Sequence, residues 1–293
     1  MNFIRYKKIY FLIIGTLSLA SIASLAVFGL KPGIDFTGGS ILEIEYKEAR
    51  PSNEIIGEKL AGLDLGQLTL QPTGEKGAII RMKDINEDIH QEIVQRLGRD
   101  IIEEKRFESV GSLIGQELRQ KTITLISVSL FAIVFYIALA FRKVRRPIRS
   151  WEYALASLSS LFHDILIPLG VFSILGRFYG VEISIPVVTA LLTIGGSSIN
   201  NVIVVFDRIR ENIMKRGGSG VTFEDTVNKS INETLGRCLN TSLCYLLPLF
   251  AIFFFGGETL KYFSLALIIG IIAGTYSAVL LAAPLLTIFK KHA

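Results

Sequence analysis

Charge is scarce in this chain. Only 19% of its 293 residues are Asp, Glu, Lys or Arg, half belong to the hydrophobic class, and the mean hydropathy is +0.49. The length alone would suit about two soluble domains, but this balance excludes a soluble enzyme of ordinary composition. Cysteine is nearly absent. Cys238 and Cys244 share one apolar run, so no disulfide framework is implied, and they read as small buried apolar side chains. Histidine occurs three times. No cluster with metal-ligand spacing and no Gly-rich phosphate loop stands out, so no metal or cofactor is implied.

What charge there is, is uneven. Residues 31–121 hold 13 Lys and Arg against 17 Asp and Glu, a net of −4, whereas the remainder holds 18 against 9, a net of +9. An acidic module thus interrupts a basic, apolar chain. The overall +5 is no argument for nucleic acid, because positive charge also collects on cytoplasmic membrane loops.

Six segments are apolar enough to cross about 30 Å of hydrocarbon. They run over Ile9–Leu30, Thr122–Phe141, Tyr153–Leu175, Ile185–Phe206, Leu239–Phe255 and Phe263–Phe289. The fifth is short unless Arg237 and its neighbours snorkel to the interface. The first exceeds the length of a signal-peptide core and reads as a retained anchor. Basic residues fix the expected orientation. Arg5, Lys7 and Lys8 precede span one; Arg142, Lys143, Arg145, Arg146 and Arg149 follow span two; Arg208, Arg210, Lys215, Arg216 and Lys229 follow span four; Lys290 and Lys291 end the chain. The loops after spans three and five offer only Arg177 and Lys261. All the basic segments fall on one side if both termini are cytoplasmic and residues 31–121 lie outside. The expected division is therefore residues 1–30 for the N-terminal end and first span, 31–121 for the external module, and 122–293 for spans two to six, with cytoplasmic loops 142–152 and 207–238.

The module has the pattern of a small α+β domain. Ile41–Tyr46 alternates as a strand, Ser52 caps a helix through Leu60, Leu65–Gln71 and Gly77–Met82 read as strands separated by a turn at Pro72-Thr73-Gly74, Ile85–Leu97 carries a helical stripe, and Arg106–Val110 closes the set. The order β-α-β-β-α-β is that of a ferredoxin-like fold. His90 is expected as a solvated side chain on the polar face of the second helix. The expected fold is thus a multi-pass α-helical membrane protein with one ferredoxin-like domain between its first two spans.

Ionisable groups at mid-bilayer are costly, so each marks a candidate site. His163-Asp164 sits about ten residues into span three. A carboxyl out of water favours its neutral form and a nearby cation the ionised one, which makes Asp164 a candidate proton carrier; a structural hydrogen-bonding pair is the competing reading. Span four carries Gly195-Gly196-Ser197-Ser198-Ile199-Asn200-Asn201. The glycines and serines suit close helix packing. Asn200 and Asn201 face about 100° apart, so one partner does not serve both. Asp207 to Asn212 reads as a charged helix end. Arg237 either pairs with Asp207, approaches the span-four amides, or anchors at the headgroups. Gly270 and Gly274 form a GxxxG face, which alone specifies nothing. A serine hydrolase using Ser197 or Ser198 with His163 would need a base within reach of the nucleophile and an oxyanion site, which sequence cannot place.

Together these segments resemble the SecF family, the smaller membrane subunits of the bacterial SecDF complex, within the resistance–nodulation–division superfamily. Gly33-Ile34-Asp35-Phe36-Thr37-Gly38-Gly39 resembles that family's entry into its first external domain. Val110-Gly111 with Gly115-Gln116-Glu117-Leu118-Arg119 resembles its segment before span two, and Phe162-His163-Asp164 its span-three motif. Val204 to Asn212, Ile231-Asn232-Glu233-Thr234-Leu235, Phe255-Gly256-Gly257 and Gly274-Thr275-Tyr276-Ser277 complete the order. The resemblance implies a non-enzymatic subunit of the inner membrane. It would work with SecD, use a proton or sodium gradient, and help preproteins out of the SecYEG channel after the SecA step. A half-length exporter of small molecules or lipids from the same superfamily is the alternative. One departure matters: the family's usual span-four aspartate is Asn201 here, and an amide cannot carry a proton by titrating. Either the partner supplies the carboxylate, or Asp164 does the work, or coupling is weak or uses Na⁺.

Overall fold

A computed structural model describes residues 2–140, 148–215 and 221–290. Arg142, Lys143, Arg145, Arg146, Arg216 and Lys291, which support the orientation reading, lie outside the described residues, as does most of loop 142–152. The chain divides into two compact units, Pro32–Leu125 on one hand and Met1–Lys31 with Ile126–Ala293 on the other.

The smaller unit opens with a one-turn helix, α2 (Ile34–Thr37), after the first long helix, α1 (Lys7–Phe28). Strand β1 (Gly39–Tyr46), helix α3 (Asn53–Lys59), strands β2 (Thr69–Thr73) and β3 (Gly77–Met82), helix α4 (Glu87–Leu97) and strand β4 (Ile102–Val110) follow. The sheet order β2-β3-β1-β4 is antiparallel throughout, the split βαβ arrangement expected. Alternation in β1 puts Leu42, Ile44 and Tyr46 inside, where Ile80 of β3, Ile56 of α3, and Ile93 and Leu97 of α4 meet them. Each such side chain contributes roughly 1.5–3 kcal/mol by leaving water.

Capping residues set the helix starts. Ser52 accepts from the Ile55 amide and Asn86 from that of Ile89. The second helix thus starts at Glu87, not Ile85, whose amide instead donates to the Ser40 hydroxyl. Two strand boundaries also differ from expectation. β2 begins at Thr69 rather than Leu65 and runs through Pro72, tolerated because β2 is an edge strand. β4 begins at Ile102, four residues earlier than its alternation suggests, because a register shift opposite Glu43 and Ile44 interrupts the pattern.

Among the described residues, six helical segments are long and apolar enough to cross a membrane. They are α1 with its leading turn, α5 (Ser112–Ala140), α6 (Ser150–Tyr179), α7 (Ile185–Lys215), α8 (Phe223–Phe255) and a broken sixth span. That span comprises α9 (Glu258–Ser277), a π-helical turn at Ala278–Ala282, and α10 (Ala283–Phe289). Pro284 has no amide hydrogen and crowds the carbonyl four residues back, which accounts for non-α hydrogen bonding just before it. α7 and α8 extend well past the apolar runs, because charged side chains reaching water are no obstacle to helix. In the bundle core α6, α7 and α9 pack together, with Tyr153 edge-on to Phe206 at 5.2 Å between ring centroids. α1 lies on α6, where Ser24 donates to the Gly170 carbonyl at 3.2 Å and Ser173 to that of Ser24 at 2.9 Å. Apolar side chains such as Leu12, Phe131 and Phe254 remain outside, as hydrocarbon solvent permits.

Candidate functional site

Asp164, in the middle of α6, is completely buried. Its Oδ2 accepts the Ser198 hydroxyl from α7, and the Ser277 hydroxyl from the end of α9 at 2.8 Å. Ser160, one turn earlier on α6, lies 2.8 Å from the Ser277 hydroxyl. Three helices thus meet through one carboxyl. Gly274 makes this possible: a Cβ there would approach both Ser198 and Asp164 at 3.3–3.4 Å.

His163 is equally deep but belongs to a different network. Its Nδ1 faces the Ser18 hydroxyl of α1 at 2.7 Å, and its Nε2 the Tyr276 hydroxyl of α9 at 2.8 Å. Successive positions on a helix diverge by about 100°, so the adjacent pair splits between two interfaces. Ser197 donates to the Ile194 carbonyl at 3.0 Å. With Ser198 on Asp164 and both His163 nitrogens engaged by Ser18 and Tyr276, neither Ser197 nor Ser198 couples with His163.

The other candidates separate as well. Asn201 is buried and Asn200 exposed. Gly195 and Gly196 do not owe their identity to close packing: a Cβ would make only ordinary contacts at the first and none at the second. Gly270 does, since a Cβ there would lie 2.2 Å from Ile194. Arg237 is exposed, and among the described residues no ion pair joins it to Asp207, whose nearest basic group is Arg210 at 4.0 Å. Arg237 and Asp207 instead line one polar cavity of about 270 Å³ with Arg208, Glu211 and Glu233. The Asp207–Asn212 stretch is more than a charged helix end. Arg208 reaches Glu233 of α8 at 2.7 Å, and Asn212 donates to Glu233 at 2.7 Å and to Ser230 at 2.9 Å. Cys238 is buried as expected, but Cys244 is exposed.

In the α+β unit, Gly38 and Gly39 adopt positive φ of 74° and 122°. A Cβ would meet Ser112 at 2.8 Å from the first and the Met82 carbonyl at 2.9 Å from the second. Glycine is therefore required at both. Asp35 lies on α2 in the same turn, half-buried. His90 corrects its expectation: it is buried, because β4 places Phe107 flat against its ring at 3.8 Å. Its two nitrogens face Glu87 and Glu104, each at 3.2 Å. Hydrogen bonds from Gln91 and from His90 hold the Glu87 carboxyl below its ordinary range.

Two family models match the chain, "Protein export membrane protein SecD/SecF, C-terminal" over residues 89–292 and "SecD/SecF GG Motif" over residues 23–49. The protein translocase subunit SecF of Thermobaculum terrenum is 39% identical over 99% of this chain and 94% of its own length. The chain belongs to the SecF family. A second SecF subunit, from Rhodothermus marinus, is 37% identical over 99% of the chain and 94% of its own length. Among solved structures, the crystal structure of SecDF from Thermus thermophilus, described as a translocon-associated membrane protein, superposes with a TM-score of 0.84 at 31% identity over 99% of this chain. SecDF in a super-membrane-facing form gives 0.69, also at 31% identity, over 100% of the chain. This chain spans 39% of the length of each SecDF chain. The second family model covers Asp35, Gly38 and Gly39, whose geometry gives that motif its physical reason.

Proposed function

We propose that this chain is the SecF half of a SecDF-type motor. It would assemble with SecD beside the SecYEG channel and use a proton gradient to help draw preproteins out after SecA has acted. Both termini would be cytoplasmic and the α+β unit would stand on the far side of the inner membrane. The observation that carries this reading is Asp164, a carboxyl buried at the meeting of three helices with hydrogen-bond donors from two of them. Such groups are expensive in hydrocarbon and mark ion pathways. Binding or losing one proton there changes the charge that α7 and α9 must accommodate, which is a direct way to couple ion entry to helix movement. Asn201 takes no part in titration, so the carboxyl among this chain's candidates at the core is Asp164, and a second carboxylate would come from the SecD half.

The test is Asp164→Asn, which keeps shape and removes the charge. With the SecD half present in membrane vesicles, gradient-driven export in this variant should fall to the level left when an uncoupler abolishes the gradient. Wild-type export by Asp164→Asn overturns the reading.

A further inference from the structure

A buried carboxylate needs compensation for lost hydration, from a cation or from dipoles. Around Asp164 there is no cation among the described residues. From α6 the titratable neighbour is His163, turned to Ser18 and Tyr276; from α9 it is Tyr276 itself; from α7 the facing group is uncharged Ser198. What surrounds the carboxyl is hydroxyl. Ser198 and Ser277 both donate to Oδ2, and Ser160 supports Ser277 from one turn away. Ser160 and Ser277 are completely buried and Ser198 nearly so. The other oxygen differs: Oδ1 is buried with no hydrogen-bond partner among the described residues.

The two oxygens are therefore inequivalent. Hydrogen bonds to an ionised acceptor are roughly twice as strong as those to a neutral one. The hold of Ser198 and Ser277 on Oδ2 is accordingly strong while the group is charged and weak once it is neutral. Those donors sit on two helices other than the one bearing the carboxyl. The π-helical turn begins at Ala278, immediately after Ser277, so the hydroxyl stands at the break in α-helical bonding of the sixth span.

We propose that Ser198 and Ser277, supported by Ser160, are positioning residues for the ion-carrying step, solvating ionised Asp164 in place of a counter-cation and tying α7 and α9 to α6 while the charge lasts. This rests on the reading of Asp164 as the ion carrier. The step is one proton transfer: an O–H bond breaks in a hydronium ion or water molecule from the aqueous side and one forms at Oδ1, leaving Oδ2 as the carbonyl oxygen. The neutral acid then loosens its hold on the two serines, and the three helices are free to separate.

The experiment uses the chain with its SecD half in liposomes. Infrared difference spectra across a pH jump identify the Asp164 carboxyl band as the one missing in Asp164→Asn. In Ser198→Ala, Ser277→Ala and the double variant, that band should move to higher wavenumber, because its carbonyl has lost donors. The pH of half-maximal gradient-driven export should move towards alkaline values by about one unit per hydroxyl removed, since each removal weakens the ionised state by a charge-assisted bond. Ser24→Ala, which removes a hydroxyl bridging α1 and α6, controls for lost packing and should leave both readouts unchanged. If the double variant does not assemble, the single variants carry the same two readouts. A wild-type band and a wild-type pH profile in the serine variants overturn the hydroxyl cage and leave the carrier reading standing. Normal export by Asp164→Asn removes both.

Discussion

At the scale of single residues, one tightly constrained position in the bundle has no side chain at all. Ile194 of α7 presses on Gly270 of α9, and a methyl group there would overlap Ile194 Cδ1 at 2.2 Å. Overpacking a formed core costs about 1–3 kcal/mol, so Gly270→Ala should lower the thermal unfolding midpoint of the detergent-solubilised protein. Gly196→Ala has open space and should be neutral or slightly stabilising, since alanine favours helix over glycine by up to about 1 kcal/mol. The reverse order of these two variants would mean that α7 and α9 do not meet as described. A glycine's surroundings are not written in its neighbours along the chain, and so sequence does not tell Gly195 and Gly196 from Gly270 and Gly274. Asp164 was legible for the opposite reason, since a carboxyl amid apolar residues stands out wherever its partners lie. Those partners were not legible. Ser198 passed for a packing residue, and Ser160, Ser198 and Ser277 come from three separate helices that only the fold brings together.

At the scale of elements, α4 shows how a helix records its surroundings in its titration. Glu87 and Asp88 occupy its first turn, and Gln91 and His90 both hydrogen-bond to Glu87. The folded Glu87 carboxyl thus holds its proton less readily than its ordinary value of 4.5 implies. A group lowered on folding stabilises the fold above the unfolded value, and that contribution fades as pH falls through the folded one. Glu87→Gln should therefore lower stability by a constant amount in neutral solution and flatten its decline as pH falls below about 4.5. Hydrogen exchange at the α4 amides through an acid series checks this; an identical acid profile in the variant would show that Glu87 is not tied to its neighbours. The elements themselves were readable because alternation and 3.6-residue periodicity are local. Their ends were less so. The bulge in β4 breaks alternation without ending the strand, and the burial of His90 depends on Phe107, seventeen positions on and in another element.

At the scale of the whole molecule, the distribution of charge becomes an argument about direction. Within the helical unit, Lys7 joins Glu224 at 2.7 Å and the Thr287 hydroxyl at 3.0 Å, and the Phe3 amide donates to Asn228 at 2.7 Å. The beginning of α1, the beginning of α8 and the end of α10 therefore share one end of the bundle. That is the arrangement six alternating spans require, and Arg5, Lys7, Lys229 and Lys290 lie on or beside the elements that meet there. Moving lysine and arginine across a bilayer is resisted during insertion, so this end should remain in the cytoplasm. The prediction is checked in a Cys238→Ser, Cys244→Ser background carrying a single new cysteine. A membrane-impermeant thiol reagent applied to intact cells with a permeable outer envelope should label Thr73→Cys in the α+β unit and spare Met214→Cys at the end of α7. Opened membranes should label both. Labelling of Met214→Cys in sealed cells would overturn this topology.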